Sequence, residues 1–166
     1  MICPRNGTKG NPANMKDQVI QREQLIRRPL PEVFAFFADA QNLEAITPPY
    51  LRFRILTRPP IEMRAGTLLD YRLSLFGVPF TWHTRIEAWE PNVRFVDVQL
   101  RGPYAKWHHL HEFRATDDGT LMTDRVDYRI GWWFCGALAH AAFVRRTLAD
   151  IFDYRAKRVE ELLKSQ

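Results

Sequence analysis

The sequence predicts an α+β fold in which a curved, seven-stranded antiparallel sheet wraps a long C-terminal helix, with two short helices after the first strand. Three observations lead there. Between residues 68 and 130, apolar and polar side chains alternate and a turn signal recurs about every ten residues, the pattern of an antiparallel meander with one wet face. In the last third the period changes, and Leu148, Ile151, Phe152, Arg155, Val159 and Leu162 fall on one helical stripe. A chain of 166 residues, 46% of them hydrophobic, suffices for one continuous core and leaves little room for a second.

Residues 1–17 (MICPRNGTKGNPANMKD) are polar, contain Gly and Pro and lack periodicity, so a disordered leader is expected. Met15 offers an alternative start within it, and 18–166 is the one expected ligand-binding domain. Strand 19–26 alternates weakly and is broken by Pro29 and Pro31, the latter well placed in the first turn of a helix. Val33, Phe34 and Phe37, then Leu43 and Ile46, keep helical spacing over 31–38 and 41–46, and Pro48 and Pro49 stop the second helix. Strand 51–56 follows. After a loop over 58–66, strand 68–76 sets Leu69, Tyr71, Leu73 and Leu75 on one face and Asp70, Arg72 and Ser74 on the other. Gly77-Val78-Pro79 turns the chain into strand 80–89, which sets Trp82, Thr84, Ile86 and Ala88 opposite His83, Arg85 and Glu87. Turns at 91–92, 102–103 and 117–119 then separate strands 93–100, 105–115 and 121–130. The last helix is expected from about 136 or 137 to 163.

Composition removes several function classes. The formal net charge is +5, yet the 24 Lys and Arg are scattered and no nucleic-acid motif occurs, so no nucleic-acid partner is expected. Cys3 and Cys135 are the only cysteines, and Cys3 lies in the leader, so no structural disulfide is expected and a reducing, cytoplasmic setting follows. No apolar signal-peptide core precedes the domain. The longest apolar run, 130–144, is shorter than the roughly 20 residues that span a bilayer. Ser74 and Ser165 are the only serines, which leaves Ser/His/Asp hydrolysis without support. No Gly-rich phosphate loop occurs, and no cofactor is expected.

One helix about 10 Å wide cannot fill the hollow of a strongly curved sheet of this size. Side chains, the short helices or a ligand must fill the remainder. The expected inward set, Trp82, Trp107, His109, His111, Phe113 and Tyr128, is bulky and partly polar. Polar tips inside an apolar wall need partners, which water or a ligand supplies. The sharpest local feature is Trp107-His108-His109-Leu110-His111. Alternation puts His109 and His111 inward with Trp107 and Phe113, and His108 outward with Lys106, Glu112 and Arg114. Asp124 shares an inward face with Met122, Val126 and Tyr128 on the adjoining strand.

A catalytic zinc site takes three protein ligands, and His109, His111 and Asp124 are the candidates. Neither an HExxH nor a Cys-pair motif supports a metal, and none is assigned. The same three residues are expected to satisfy one another as a polar cluster. Such a cluster holds a core together, orients a ligand hydroxyl or carbonyl, or serves as acid and base. The turn at Arg101-Gly102-Pro103-Tyr104 lies at the edge of the expected hollow. Gly131-Trp132-Trp133-Phe134 is expected to pack over the mouth of the fold, with a lid, or a transient contact with a membrane surface beside Arg145 and Arg146, as the alternatives.

This order of elements resembles the START-like (SRPBCC) superfamily, which includes birch-pollen-type allergens, steroid-transfer domains and polyketide cyclases. The chain is most similar to bacterial ligand-binding SRPBCC proteins of the polyketide cyclase/dehydrase-like kind. RPLPEVFAFFADAQNLEAITPP (28–49), FGVPFTWHTRIEAWEPNVRFVDVQLRGPYAKWHHLHEF (76–113) and FVRRTLADIFDYRAKRVEELL (143–163) carry the resemblance, which covers 18–164. It implies a helix-grip fold with a hydrophobic cavity between sheet and helix. It does not imply a reaction, because carriers, sensors and enzymes share the scaffold. The expected function is binding or carriage of a hydrophobic small molecule (lipid, isoprenoid or polyketide-like). Trp82, Trp107, Phe113, Tyr128 and Phe143 would line the apolar wall, with His109, His111 and Asp124 at the polar end. A cyclase/dehydratase using those three polar residues is the first alternative, and a regulatory interaction module is the second.

Overall fold

The computed structural model describes residues 16–75, 77–130 and 137–164. Seven strands form: β1 (Gln18–Ile26), β2 (Arg54–Ile55), β3 (Leu68–Leu75), β4 (Val78–Glu90), β5 (Arg94–Arg101), β6 (Tyr104–Thr116) and β7 (Gly119–Ile130). They make one antiparallel sheet in the order β1-β7-β6-β5-β4-β3-β2, with β1 laid against the last strand. Helices α1 (Leu30–Ala38) and α2 (Asn42–Ala45) link β1 to β2, and α3 (Ala137–Lys164) follows β7. This is the expected α+β arrangement, with the sheet curved around the long helix. Register shifts in β4 at His83/Thr84 and Ile86/Ala88, and in β6 at Tyr104/Lys106, help to bend it.

Most boundaries move by one or two residues from expectation, and those of the second and fourth strands bear on the packing. The second strand shrinks to two residues because Pro49–Leu51 winds into a 3-10 turn that ends at Arg52 in the left-handed region, φ 45°. The fourth strand starts at Val78, with Pro79 opposite Ser74. Ser74, expected outward, is buried on the face it shares with that proline. The leader up to residue 15, both cysteines, Trp132, Trp133, Phe134 and Ser165 lie outside the described residues. Among the described residues no helix is long and apolar enough to cross a membrane.

Packing explains where the fold leaves space. Pro31 sits in the first turn of α1, and the helix buries Val33, Phe34, Phe36 and Phe37. These side chains meet Phe95, Phe113 and Met122 from the sheet and Val159 and Leu163 from α3. Phe34 stands edge-on to Phe113 at 5.2 Å and to Trp89 at 5.3 Å, each pair adding about 0.5–1.5 kcal/mol beyond area burial. Val144, Leu148 and Phe152 of α3 pack on Ile20, Val126, Tyr128 and Ile130 of β1 and β7. Three polar contacts hold α3 to that side. Gln24 Nε2 donates to the Ala156 carbonyl at 2.8 Å, Arg22 pairs with Asp153 at 3.0 Å, and Arg28 Nε donates to the Leu163 carbonyl at 2.8 Å. The last satisfies a carbonyl of the final turn, which has no partner within the helix.

Helix α3 therefore lies over the β1–β7 edge of the sheet. The β3–β4 half carries a separate cluster built on Leu69, Tyr71 and Ile86, with Phe53, Ile55, Ile61 and Met63 against it. Between that half and the helix the described residues do not close over the sheet's apolar face.

Candidate functional site

The unfilled space is a cavity of about 270 Å³ between the β3–β6 face, α1, α2 and α3. Its wall is mainly apolar: Phe36 and Leu43 from the short helices, Leu69, Leu73, Trp82 and Ile86 from β3 and β4, and Leu148 and Ile151 from α3. Trp82, Tyr104 and Trp107 form an aromatic group in this wall, with ring centroids 4.8–5.6 Å apart. One corner holds a polar group, Tyr71, Thr84, Asp97, His109, His111 and Arg155, while Asp39, Asn42, Thr47 and Thr147 border the cavity elsewhere.

Of the residues expected to bind a ligand, Trp82, Trp107, His109, His111 and Phe143 line this cavity. Phe143 is 44% exposed. Phe113 and Tyr128 sit elsewhere on the same face. Phe113 lies under α1, 5.2 Å from Phe34 and 5.6 Å from Phe37. Tyr128 is buried beneath α3, and its hydroxyl donates to Gln18 Oε1 at 3.0 Å. Asp124 borders a second space of about 170 Å³ on the β1 side, with Arg22, Asp153 and Arg155.

Strand register builds the polar corner. Asp97 of β5 is directly opposite His109 of β6, and His111 is directly opposite Asp124 of β7. Residues two apart share a face, so the four side chains stand together on the inner side. Each imidazole lies between the two carboxylates. His109 is 3.3 Å from Asp97 through Nδ1 and 3.0 Å from Asp124 through Nε2. His111 is 3.0 Å from Asp97 through Nε2 and 2.8 Å from Asp124 through Nδ1. The last contact is close but misaligned, so Nδ1 makes no hydrogen bond there. The two rings are 3.8 Å apart, Phe95 stacks on His111 at 4.1 Å, and Phe152 meets His109 edge-on at 5.5 Å.

Burial and mutual charge oppose each other in this cluster. Burial pushes the Asp97 carboxyl up, but the His109 charge and hydrogen bonds from both rings together hold it well below the usual carboxylate range. Burial likewise raises Asp124, and the Arg155 charge with both imidazoles outweighs it, leaving the group well below its ordinary value. For His109, burial disfavours the charged form, yet Asp97 and then Asp124 lift it above its ordinary value. Burial, then the Asp97 charge, pushes the Tyr71 phenol up, so it stays neutral and able to donate.

One further polar atom of a cavity-lining residue, Arg155 Nε, is buried without a hydrogen bond among the described residues, and the buried Thr84 hydroxyl lies beside the Tyr71 phenol. The Arg155 guanidinium lies 5.5 Å from the Phe37 ring and 5.9 Å from that of Phe152, and borders both cavities. Among the described residues, Asp97, His109 and His111 also form a group able to hold a metal, one donor atom from each lying within 4.8 Å of the others.

Asp97, Tyr71, Thr84 and Arg155 were not expected at the site. A signal exists for two of them. Asp97 is a lone carboxylate at an inward position between Val96 and Val98, and Arg155 is a charge inside the apolar stripe of α3.

Residues 26–151 match the family model described as "Polyketide cyclase / dehydrase and lipid transport". No curated protein matches the chain. Among solved structures, protein Ms6760 from Mycobacterium smegmatis is similar at a TM-score of 0.65 and 16% identity, over 98% of this chain and 99% of that one. Ara h 8.0201 is similar at 0.58 and 13% identity, over 91% of this chain and 100% of that one. The di-domain ARO/CYC StfQ from the steffimycin biosynthetic pathway gives 0.67 and 12% identity, over 93% of this chain and 52% of that one. At such identities these likenesses speak of fold. The family match reaches from the end of β1 into α3 and takes in every residue of the polar corner except Arg155. A helix-grip fold with a hollow between sheet and helix, matched over most of its length, places this chain in the polyketide cyclase/dehydrase and lipid transport family.

Proposed function

We propose that the protein binds a hydrophobic small molecule of the lipid, isoprenoid or polyketide type in the cavity between sheet and helix. The observation that carries this reading is the character of the cavity: a mainly aliphatic and aromatic wall with the buried His–Asp cluster, Tyr71 and Arg155 at one corner. Binding pockets for small molecules have this composition, with few polar groups fixing orientation. The volume of about 270 Å³ lies near the lower end of the pocket range of roughly 300–1,000 Å³. It suits a compact ligand or one segment of a longer chain. Arg155 Nε, buried without a hydrogen-bond partner among the described residues, suits a ligand that presents an oxygen acceptor at that corner.

Native mass spectrometry of protein isolated from its own host tests the reading and is expected to show a bound apolar compound. An environment-sensitive apolar fluorophore should enter the delipidated protein with one-to-one stoichiometry. A protein that carries nothing and takes up no such probe would overturn the proposal.

A second reading, acid–base catalysis of the cyclase or dehydratase kind on the same bound molecule, is favoured by one observation. His109 and His111 sit between two carboxylates and line the cavity. It requires turnover of the bound compound, and conversion unaltered in both His109→Gln and Asp124→Asn would exclude it.

A further inference from the structure

Each ring of the His–Asp cluster makes one hydrogen bond, His109 Nε2 with Asp124 and His111 Nε2 with Asp97, and the other two nitrogen–carboxylate contacts stay unmade. Four ring nitrogens face carboxylate oxygens at 2.8–3.3 Å. Ionised carboxylates only accept, and a neutral imidazole carries one N–H, so each neutral ring turns a lone pair toward an acceptor. Four matched contacts need two imidazolium rings, whose centroids would stand 3.8 Å apart in a buried site. The strain shows at His111, which is 2% exposed and whose Nδ1 makes no hydrogen bond.

A cation resolves this mismatch, and the geometry is laid out for one. Asp97, His109 and His111 line the cavity, whereas Asp124 does not. His109 Nδ1 and His111 Nε2 converge on Asp97 Oδ2, at 3.3 and 3.0 Å. An ion about 2.0–2.2 Å from each of three such atoms sets neighbouring donors roughly 3 Å apart. The opposite nitrogen of each ring faces Asp124 Oδ1, the position of the outer carboxylate that fixes tautomer and orientation of metal-bound histidines. With a metal in place each ring would give its cavity-side lone pair to the ion; His109 would keep its N–H for the bond to Asp124, and the N–H of His111 would move to Nδ1, beside the same oxygen.

We propose that Asp97, His109 and His111 form a binding site for a divalent first-row transition metal on the cavity wall, with Asp124 as the carboxylate behind both rings. Two imidazoles and one carboxylate leave coordination positions open, and here they face the cavity. A ligand oxygen or a water would complete the shell. The site goes beyond the ligand-binding reading and does not rest on it, because a metal titration needs no organic ligand.

Full-length, tag-free protein stripped with a chelator is titrated with zinc by calorimetry and with cobalt(II) by visible spectroscopy. One zinc per chain with micromolar or tighter affinity is expected. Cobalt should give ligand-field bands without thiolate charge transfer, which separates this site from Cys3 and Cys135. Asp124→Asn should weaken zinc binding about 10- to 100-fold, Asp97→Asn should weaken it further, and His83→Gln, at the half-buried pair with Asp70 outside the cavity lining, should leave it unchanged. Folded wild-type protein that binds no stoichiometric zinc overturns the proposal, as does a cobalt spectrum dominated by thiolate charge transfer. Folded Asp97→Asn binding as tightly as wild type does the same. If Asp97→Asn does not fold, the wild-type cobalt spectrum decides alone.

Discussion

At the scale of single residues, the His–Asp cluster makes stability depend on pH in both directions. Asp97 and Asp124 are held below their ordinary values in the folded protein. Their contribution is present above the unfolded carboxylate value, near 3.9, and is lost as pH falls toward the depressed folded values. His109 is raised, so its contribution is present below the unfolded value, near 6.5, and fades as pH climbs through the folded value. Chelator-treated protein should be most stable between about pH 4 and 6.5. Urea midpoints measured across pH check this, and a monotonic rise from pH 4 to 9 would contradict it. Three of the cluster's four residues were legible in the sequence. Period-2 alternation alone puts His109, His111 and Asp124 on inner faces. Asp97 was missed because alternation gives the face of a side chain and not its cross-strand partner. That partner, His109, is set by register across the turn at 102–103. There the Gln99 side chain both donates to and accepts from the Tyr104 backbone, at 2.7 and 3.3 Å.

At the scale of elements, position relative to the helices separates residues that the pattern makes equivalent. Trp107, His109, His111 and Phe113 alternate along one face of β6, yet only the first three line the cavity. Phe113 is covered by α1 and belongs to the core shared by α1, β5, β7 and α3. Phe113→Ala should therefore cost about 3–5 kcal/mol in chemical denaturation, as for other buried phenylalanines. Phe143→Ala, at an exposed position on the cavity rim, should change stability by less than about 1 kcal/mol. Its effect should appear in uptake of an apolar probe. Comparable destabilisation by both substitutions would show that the rim belongs to the core. Which inner residues a helix covers depends on how it crosses the sheet, and local patterning does not encode the crossing. The short second strand has a more local cause: prolines at 48 and 49 initiate a 3-10 turn, and Arg52 ends it in a left-handed conformation.

At the scale of the molecule, the cavity follows from asymmetry. Three polar contacts from β1 and the residues after it fix α3 on one edge of the sheet, and the other half keeps its apolar face toward open space. The expectation that one helix underfills a seven-stranded hollow was sound for this reason, although the sequence pattern did not say which half would be left open. Leu73 projects from β3 into that half, partly buried and against the cluster of Leu69, Tyr71 and Ile86. Leu73→Trp places a larger apolar side chain in space that none of the described residues fills. It should reduce probe uptake at least tenfold. In ligand-free protein the added contacts should contribute about 0.5–2 kcal/mol, the usual yield of filling a cavity. For a chain of this size that amounts to a few degrees in Tm, at roughly 2–4 °C per kcal/mol. Fluorophore titration and thermal unfolding of the same preparation separate two outcomes. Lost uptake with equal or higher Tm is expected of a binding cavity held open by the fold. Lower Tm with undiminished uptake would mean that β3 is already fully packed and that the probe binds elsewhere.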